Sequence, residues 1–290
     1  SNVLSGNRPV SDEVRQRVLQ TIDELGYQTN MAAASLVTGR TKTIGAVMHS
    51  FQFGLGNVLA GIDAGAREQG FSLLVSRLGE NEDPVKHLLA LSRRRVDGII
   101  WVVPEKEESH RWVETGQIDP DLPIVFAFGS SRLHHSSIQM DNISGGYAAT
   151  RHLIEHGCRK IGHISGPLEY AEAKDRKAGW EKALREAGIK PTMISEGGWY
   201  AKDGQKCIAN MLMQWPDIEA IFVATDNCAL GAINALQKSG RRIPEDVKVI
   251  GFDDIRLLEF VNPPLTSVRQ DYFRMGDYAT KELCRRIEHP

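Results

Sequence analysis

Flat aromatic rings and fork-shaped polar side chains recur in this chain where apolar runs give way to turns. They are His49, Phe51 and Phe53, then Phe128, Asp141, Arg176, Trp199, Thr225, Asp253-Asp254 and Gln270-Asp271-Tyr272. A carboxylate offers two acceptors and a guanidinium a planar fork of donors, so each can hold two adjacent hydroxyls, while a ring covers an apolar face. That combination is the chemistry of a sugar site. Each residue also has a plainer reading. Phe51 or Phe53 can pack in a core or an interface, and Arg176 can pair with Glu172 one helical turn earlier. Asp226 reads as a helix N-cap and stays outside the set, whereas Asp253-Asp254 can cap the turn after Gly251. The set gains its weight from convergence at one cleft.

Patterns for covalent chemistry fall short. Gly54-Leu-Gly56-Asn-Val-Leu59 follows a strand and opens a helix, as a dinucleotide fingerprint does. Its sixth position is Leu, however, and no acid closes the next strand to hold a ribose, so a flexible strand-to-helix turn is the better reading. Gly162-His-Ile-Ser165-Gly166 places its serine one position late for a nucleophile elbow. His134-His135 has no matching ligand cluster, and no phosphate-loop lysine motif occurs. No nucleophile, base and oxyanion site assemble together. An enzyme is not expected, nor a cofactor or a bound metal.

The elements that must position the polar set follow a regular rhythm from Thr43 onward. Strands at Thr43–Met48, 71–76, 97–102, 123–126 and 136–140 alternate with helices at 56–69, 84–94 and 143–156. A second series runs through strands at 160–164, 192–195, 220–224, 247–251 and 265–268, with helices at 174–187, 202–214, 229–239 and 273–287. Runs such as Gly98-Ile-Ile-Trp101 and Ala220-Ile-Phe-Val-Ala224 lack polar alternation, as parallel strands covered on both faces do. Two successive strand–helix series predict an α/β fold of two doubly wound parallel-sheet subdomains. Ligands of such sheets sit beyond the carboxyl ends of the strands.

Upstream lies a different pattern. Residues 11–25 form an amphipathic helix, with Ser11 as cap, Asp12 and Glu13 at the positive end of its dipole, and a Val14, Val18, Ile22, Leu25 stripe. Asn2-Val-Leu-Ser-Gly6 reads either as the last turn of an earlier helix or, at Ser1-Asn2, as a cloning remnant. Between helix and α/β body, Asn30-Met-Ala-Ala-Ala-Ser-Leu36-Val-Thr-Gly39 reads as a helix of barely two turns, capped by Asn30 and stopped by Gly39. An isolated helix needs roughly 12–15 residues to hold in water. A segment this short folds only when something holds it, which marks a coupling element between two sites.

Bulk properties are those of an ordinary soluble globular protein. The 290 residues are 41% hydrophobic and 25% charged with a net charge of −2, enough for two cores and without the basic excess that would by itself point to nucleic acid. Cys158, Cys207, Cys228 and Cys284 are scattered, with no C-x-x-C pair, and read as buried reduced thiols of a cytoplasmic protein. No signal peptide and no membrane-spanning run is present.

Essentially the whole chain resembles the lactose-repressor/galactose-repressor (LacI/GalR) family of bacterial transcription regulators. The resemblance is carried by Val10-Ser-Asp-Glu-Val-Arg-Gln-Arg-Val18, Ile22-Asp-Glu-Leu-Gly-Tyr27 with Asn30, and Ala33-Ala-Ser-Leu-Val-Thr-Gly-Arg-Thr41. Further on it rests on Arg176-Lys-Ala-Gly179-Trp, Ala224-Thr-Asp226 with Ala229-Leu-Gly231-Ala, Val249-Ile-Gly-Phe-Asp253-Asp254 and Pro264-Leu-Thr-Ser-Val. The joint order is specific; single matches are not.

The resemblance implies the C-terminal part of a helix-turn-helix headpiece at 1–29 and a hinge helix with linker at 30–41. It also implies a periplasmic-binding-protein-like sensor, with one subdomain at 42–157 plus 270–290 and the other at 158–269. In this family paired hinge helices enter the DNA minor groove and a leucine wedges a base step apart, at a cost of a few kcal/mol offset by bent DNA touching more protein. Asn30, Ala33 and Leu36 fall on those DNA contacts, with Leu36 as the wedge. Effector contacts fall on Phe128, Asp141, Arg176, Trp199, Thr225, Asp253 and Tyr272, and less securely on His49 and Phe53.

The expected function is therefore an allosteric, homodimeric, operator-binding repressor of a carbohydrate-utilisation operon, with a small sugar as effector and no membrane association. The polar set suits polyols better than a planar base. A transporter's sugar-binding protein is the rival from another class, and residues 1–39 argue against it. Two departures stand out: most of the recognition helix is absent, and the family's last strand lies beyond Pro290. The chain as written is thus not expected to read an operator. Ala34 also stands where many relatives carry Arg.

Overall fold

A computed structural model describes residues 10–25, 35, 39–50, 54–79, 81–104, 106, 119, 121–128 and 136–289. The chain divides into two units, Ser1–Lys42 and Thr43–Pro290. In the first, α1 (Asp12–Glu24) starts where the Ser11 hydroxyl accepts the Val14 N–H, with Asp12 and Glu13 in its first turn. None of its residues is buried: Val14 and Leu25 are exposed, Val18 and Ile22 half-buried. Gly39 takes φ +73° and donates its N–H to the Ser35 carbonyl at 2.9 Å, the left-handed stop expected there. Ser35 is helical; Asn30, Ala33 and Leu36, like the turn at 2–6, lie outside the described residues.

In the second unit two five-stranded parallel sheets each carry their own cores. The first sheet is ordered β2-β1-β3-β4-β5, formed by β1 (Thr43–Met48), β2 (Ser72–Arg77), β3 (Gly98–Val102), β4 (Ile124–Ala127) and β5 (Ser137–Ile138). The second comprises β6 (Ile161–Ser165), β7 (Ile194–Glu196), β8 (Ala220–Val223), β9 (Lys248–Asp253) and β10 (Thr266–Arg269), ordered β10-β9-β8-β6-β7. Counted within each sheet, both orders are 2-1-3-4-5, so the chain builds one doubly wound topology twice. Every residue of β3, β6 and β8 is buried, because helices cover both faces. The short β5 is the one place where the expected strand, 136–140, shrinks markedly.

Helices pack in three close pairs. They are α2 (Leu55–Glu68) with α8 (Tyr272–Glu288), α4 (Asn142–Glu155) with α5 (Ala171–Glu186), and α6 (Ala201–Gln214) with α7 (Asp226–Lys238). In each pair a glycine on either helix lies against backbone of its partner. A methyl group on Gly146 would collide with the Arg176 carbonyl, and one on Gly179 with the Ile143 carbonyl. A remaining helix, α3 (Pro84–Arg93), lies against the other face of the first sheet, where Val85, Leu88 and Leu91 join Trp101 and Phe126.

One expected boundary differs from the packing. The reading put residues 42–157 in the first subdomain, yet Ala149 and Leu153 of α4 sit in a core with Trp180, Phe222, Ile250 and Phe252 of the second sheet. The chain thus leaves the first lobe before α4, near Met140-Asp141, and α8, which follows Gln270-Asp271, packs against α2. The reason is the close α4–α5 fit, which the periodicity of either helix alone does not reveal. A 3-10 turn at Arg256–Phe260 was not anticipated either. All four cysteines are buried and free, and among the described residues no helix is long and apolar enough to cross a membrane.

Candidate functional site

The carboxyl ends of the second sheet converge on Asp253. The residue ends β9 with φ +113°, followed by Asp254 at +57°, and Phe128 after β4 stands at +72°. Non-glycine residues in this region of φ cost of order 1–3 kcal/mol each and persist where surrounding contacts over-determine them. Those contacts are visible. Asp226, the first residue of α7, accepts the Ile255 N–H at 2.9 Å and the Ser267 hydroxyl at 2.6 Å, and Ser267 in turn accepts the Asp254 N–H at 3.1 Å. Gly251 leaves the room, since a methyl there would strike the Asp226 carboxylate. The helix cap is Thr225, whose hydroxyl accepts the Cys228 N–H at 3.2 Å. Asp226 is therefore not a cap, as its position suggested, but the strut of the β9–β10 turn.

Around Asp253 stand the most buried polar groups of the expected set. The Tyr272 hydroxyl, from the first lobe's α8, donates to its Oδ1 at 2.8 Å, and Arg176 Nη1 of α5 lies 3.8 Å from the same oxygen. Arg176 is 5% exposed, so the surface pair with Glu172 is not its role. Its Nε donates to Asn142 Oδ1 at 2.8 Å, its Nη1 to the Ala224 carbonyl at 2.5 Å, and its guanidinium stacks 4.0 Å from the centre of Phe252. Burial pushes the Asp253 carboxyl up to about 7, against the opposing pull of Arg176 and Tyr272, and Asp226 pushes the same way as burial. The Asp226 carboxyl rises to about 6, again chiefly by burial. A carboxyl so placed is poised to ionise when further donors reach it.

The aromatic members form two walls. The Phe128 ring lies 6.2 Å from Tyr272, centre to centre. Trp199 leans on the backbone at Gly166, where any side chain would strike its indole, and meets Tyr170 edge-on at 5.6 Å. The Thr225 hydroxyl donates to the Trp199 carbonyl at 3.4 Å. Two expected residues stand apart. Asp141 is the exposed N-cap of α4, its carboxylate accepting the Ser144 N–H at 2.9 Å, which holds its carboxyl below the usual value. His49 is exposed just past β1, and Phe53, with Phe51, lies outside the described residues.

Asn142 escaped the sequence reading. Next to Asp141 at a helix start it looks like a second cap residue, and only its 5% exposure and its bond to Arg176 set it apart. Phe252, under the guanidinium, escaped as an ordinary strand residue.

Twin doubly wound lobes with charged and aromatic side chains gathered between them define the class: a two-lobed ligand-binding protein. Residues 150–290 match the family model of the periplasmic-binding-protein-like domain. The transcriptional repressor PurR of Pasteurella multocida, described as of helix-turn-helix type, is 35% identical over 99% of this chain and 87% of its own length. The lac repressor dimer bound to operator and the anti-inducer ONPF superposes with a TM-score of 0.85 at 29% identity, covering 99% of this chain and 87% of that one. The regulator CelR in complex with cellobiose gives 0.78 at 30% identity, covering 99% and 88%. The chain belongs to the LacI/GalR family: it is a DNA-binding transcriptional repressor built around a ligand-binding core, and not an enzyme.

Proposed function

We propose that the effector of this repressor is a small sugar or sugar derivative, held between the lobes by Arg176, Asp253, Thr225 and Tyr272 and flanked by Trp199 and Phe128. The observation that carries this reading is the Arg176–Asp253–Tyr272 cluster: two groups from the second lobe and one from the first, all buried, all able to engage neighbouring hydroxyls. A hydroxyl that donates to Asp253 while accepting from Arg176 would bridge the 3.8 Å between them with two charge-assisted hydrogen bonds. His49, Phe53 and Asp141 remain expected effector contacts in this reading. The solved complex of CelR with cellobiose supports a carbohydrate.

Effector binding changes the angle between the lobes and, in a homodimer acting in the cytoplasm, the spacing of two hinge segments. That spacing decides whether the hinge, with Asn30, Ala33 and Leu36 at the DNA, folds on an operator of a carbohydrate-utilisation operon. The lac repressor solved as a dimer on its operator supports this arrangement. A thermal-shift screen of mono- and disaccharides tests the ligand class, because a ligand at 100 times its Kd stabilises the folded state by about 2.7 kcal/mol. A shift with a sugar that disappears in Arg176→Ala is expected. Shifts only with planar bases would replace the proposal.

A further inference from the structure

Both chain crossings between the lobes end in the same way. After β5 the chain reaches Asp141, the N-cap of α4, with φ −78° and ψ 77°; after β10 it reaches Asp271, the N-cap of α8, with φ −86° and ψ 68°. Each capping aspartate accepts the N–H three residues on, Ser144 in one case and Arg274 in the other, and so fixes the direction of the residue that follows it. Those following residues are Asn142 and Tyr272. Tyr272 reaches Asp253, which the proposed site already uses. Asn142 is not among the expected ligand contacts, yet it is 5% exposed and hydrogen-bonded on both sides of its amide. Its Nδ2 donates to the Met140 carbonyl at 3.3 Å, which leaves Oδ1 as the acceptor.

That one oxygen takes two donors. Arg176 Nε donates to it at 2.8 Å and Gln270 Nε2 at 3.2 Å. Gln270 lies on the second crossing, and its backbone N–H donates to the Asp253 carbonyl at 3.3 Å. Asn142 therefore sits at the first crossing, holds the guanidinium, and is tied to the second crossing through Gln270. We propose that Asn142 is the positioning residue of the cleft arginine, and that its shared oxygen links the placement of Arg176 to the angle between the lobes. A guanidinium pulled toward a ligand lengthens the Nε bond and shifts the balance at the oxygen toward Gln270. A rotation at the crossing moves Gln270 and loosens Arg176 in return. Such a link is reciprocal by thermodynamic necessity. Its consequence for the effector rests on the sugar-site reading, whereas the link itself is measurable without any sugar.

The test uses the full chain with no ligand and two readouts. One is the distribution of distances between spin labels at Glu68→Cys on α2 and Lys238→Cys on α7, both exposed and on different lobes. The other is the solvent exchange of the Arg176 Nε–H, followed by nitrogen-15 NMR. In Asn142→Ala the exchange should quicken at least tenfold and the distance distribution widen at least 1.5-fold. Asn142→Asp, which keeps an accepting oxygen, should restore both. Gln270→Ala, at a half-buried position outside every core, should leave the melting temperature within a few degrees and still quicken the Arg176 Nε–H severalfold. An unchanged Arg176 signal in Gln270→Ala overturns the link, and an Asn142→Asp variant that behaves like Asn142→Ala shows that the oxygen is not its carrier. Failure of Arg176→Ala to lose sugar binding would overturn the sugar reading and leave these results untouched.

Discussion

At the residue scale the cleft is governed by one carboxyl group. Asp253, pushed up to about 7 by burial, has a higher value folded than the roughly 3.9 of an unfolded chain. The folded state therefore binds more protons between those values, so this contribution to stability is full below about 3.9 and is lost as pH rises from there to about 7. In the sugar site proposed above, hydroxyls donating to the carboxylate would favour its charged form and lower that value. Binding should then release up to about half a proton per site at pH 7, and tighten as pH rises from 6 toward 7 and level off above it. Calorimetry in buffers of different ionisation enthalpy measures the release, and Asp253→Asn should abolish it. Arg176→Ala should lower sugar affinity at least a hundredfold. Its melting temperature should fall, because truncation leaves the Asn142 oxygen and the Ala224 carbonyl without their donor, so affinity is compared at a temperature where both proteins are folded. Retained affinity in that variant would refute the site.

A second buried group titrates with the opposite sign. His163 of β6 is fully buried between Trp180 and Phe222, and its Nδ1 is 2.9 Å from the Phe222 carbonyl. Burial pushes its value down to about 4. The unfolded chain binds the proton first, so this contribution is complete above about 6.5 and is lost as pH falls toward 4, on the order of 3 kcal/mol in all. His163→Phe should flatten the acid side of the stability profile measured by chemical denaturation.

At the element scale, helix pairs and the hinge behave in opposite ways. The α4–α5 pair is locked by reciprocal glycine contacts at Gly146 and Gly179. Gly179→Ala forces a methyl against backbone and should cost about 1–3 kcal/mol, the usual range for overpacking, in a urea titration. The expected hinge at 30–41 is read from its sequence alone, as an alanine-rich stretch too short to hold by itself. In the intact protein Leu36→Ala should weaken operator binding at least tenfold and leave sugar affinity within twofold. Equal losses in both would count against a wedge.

At the scale of the whole molecule, the same topology built twice yields a cleft bounded by two chain crossings, and a ligand held by both lobes biases their angle. The coupling must be mutual: if the sugar lowers operator affinity by some factor, operator DNA must lower sugar affinity by the same factor. A nearly complete switch requires about 5.5 kcal/mol of differential affinity. Titrating the sugar with and without operator DNA checks the equality, and unequal factors would exclude a two-state linkage.

Much of this architecture was legible in the residues themselves. Gapless apolar runs such as Gly98-Ile-Ile-Trp-Val102 read as strands covered on both faces, and their alternation with helical stripes points to a doubly wound fold. Arg176, Asp253 and Tyr272 were legible because each follows or faces a strand's carboxyl end, where such folds gather their chemistry. The assignment of α4 to the second lobe was not, because it depends on backbone-to-backbone contact at Gly146 and Gly179, residues 33 positions apart. Nor were the roles of Asn142 and Asp226, whose sequence settings are those of ordinary caps. Local sequence determines what a segment is, through periodicity, capping and burial. Only the tertiary structure decides which lone pairs and donors from distant segments meet, because that pairing depends on the packing of all the elements at once.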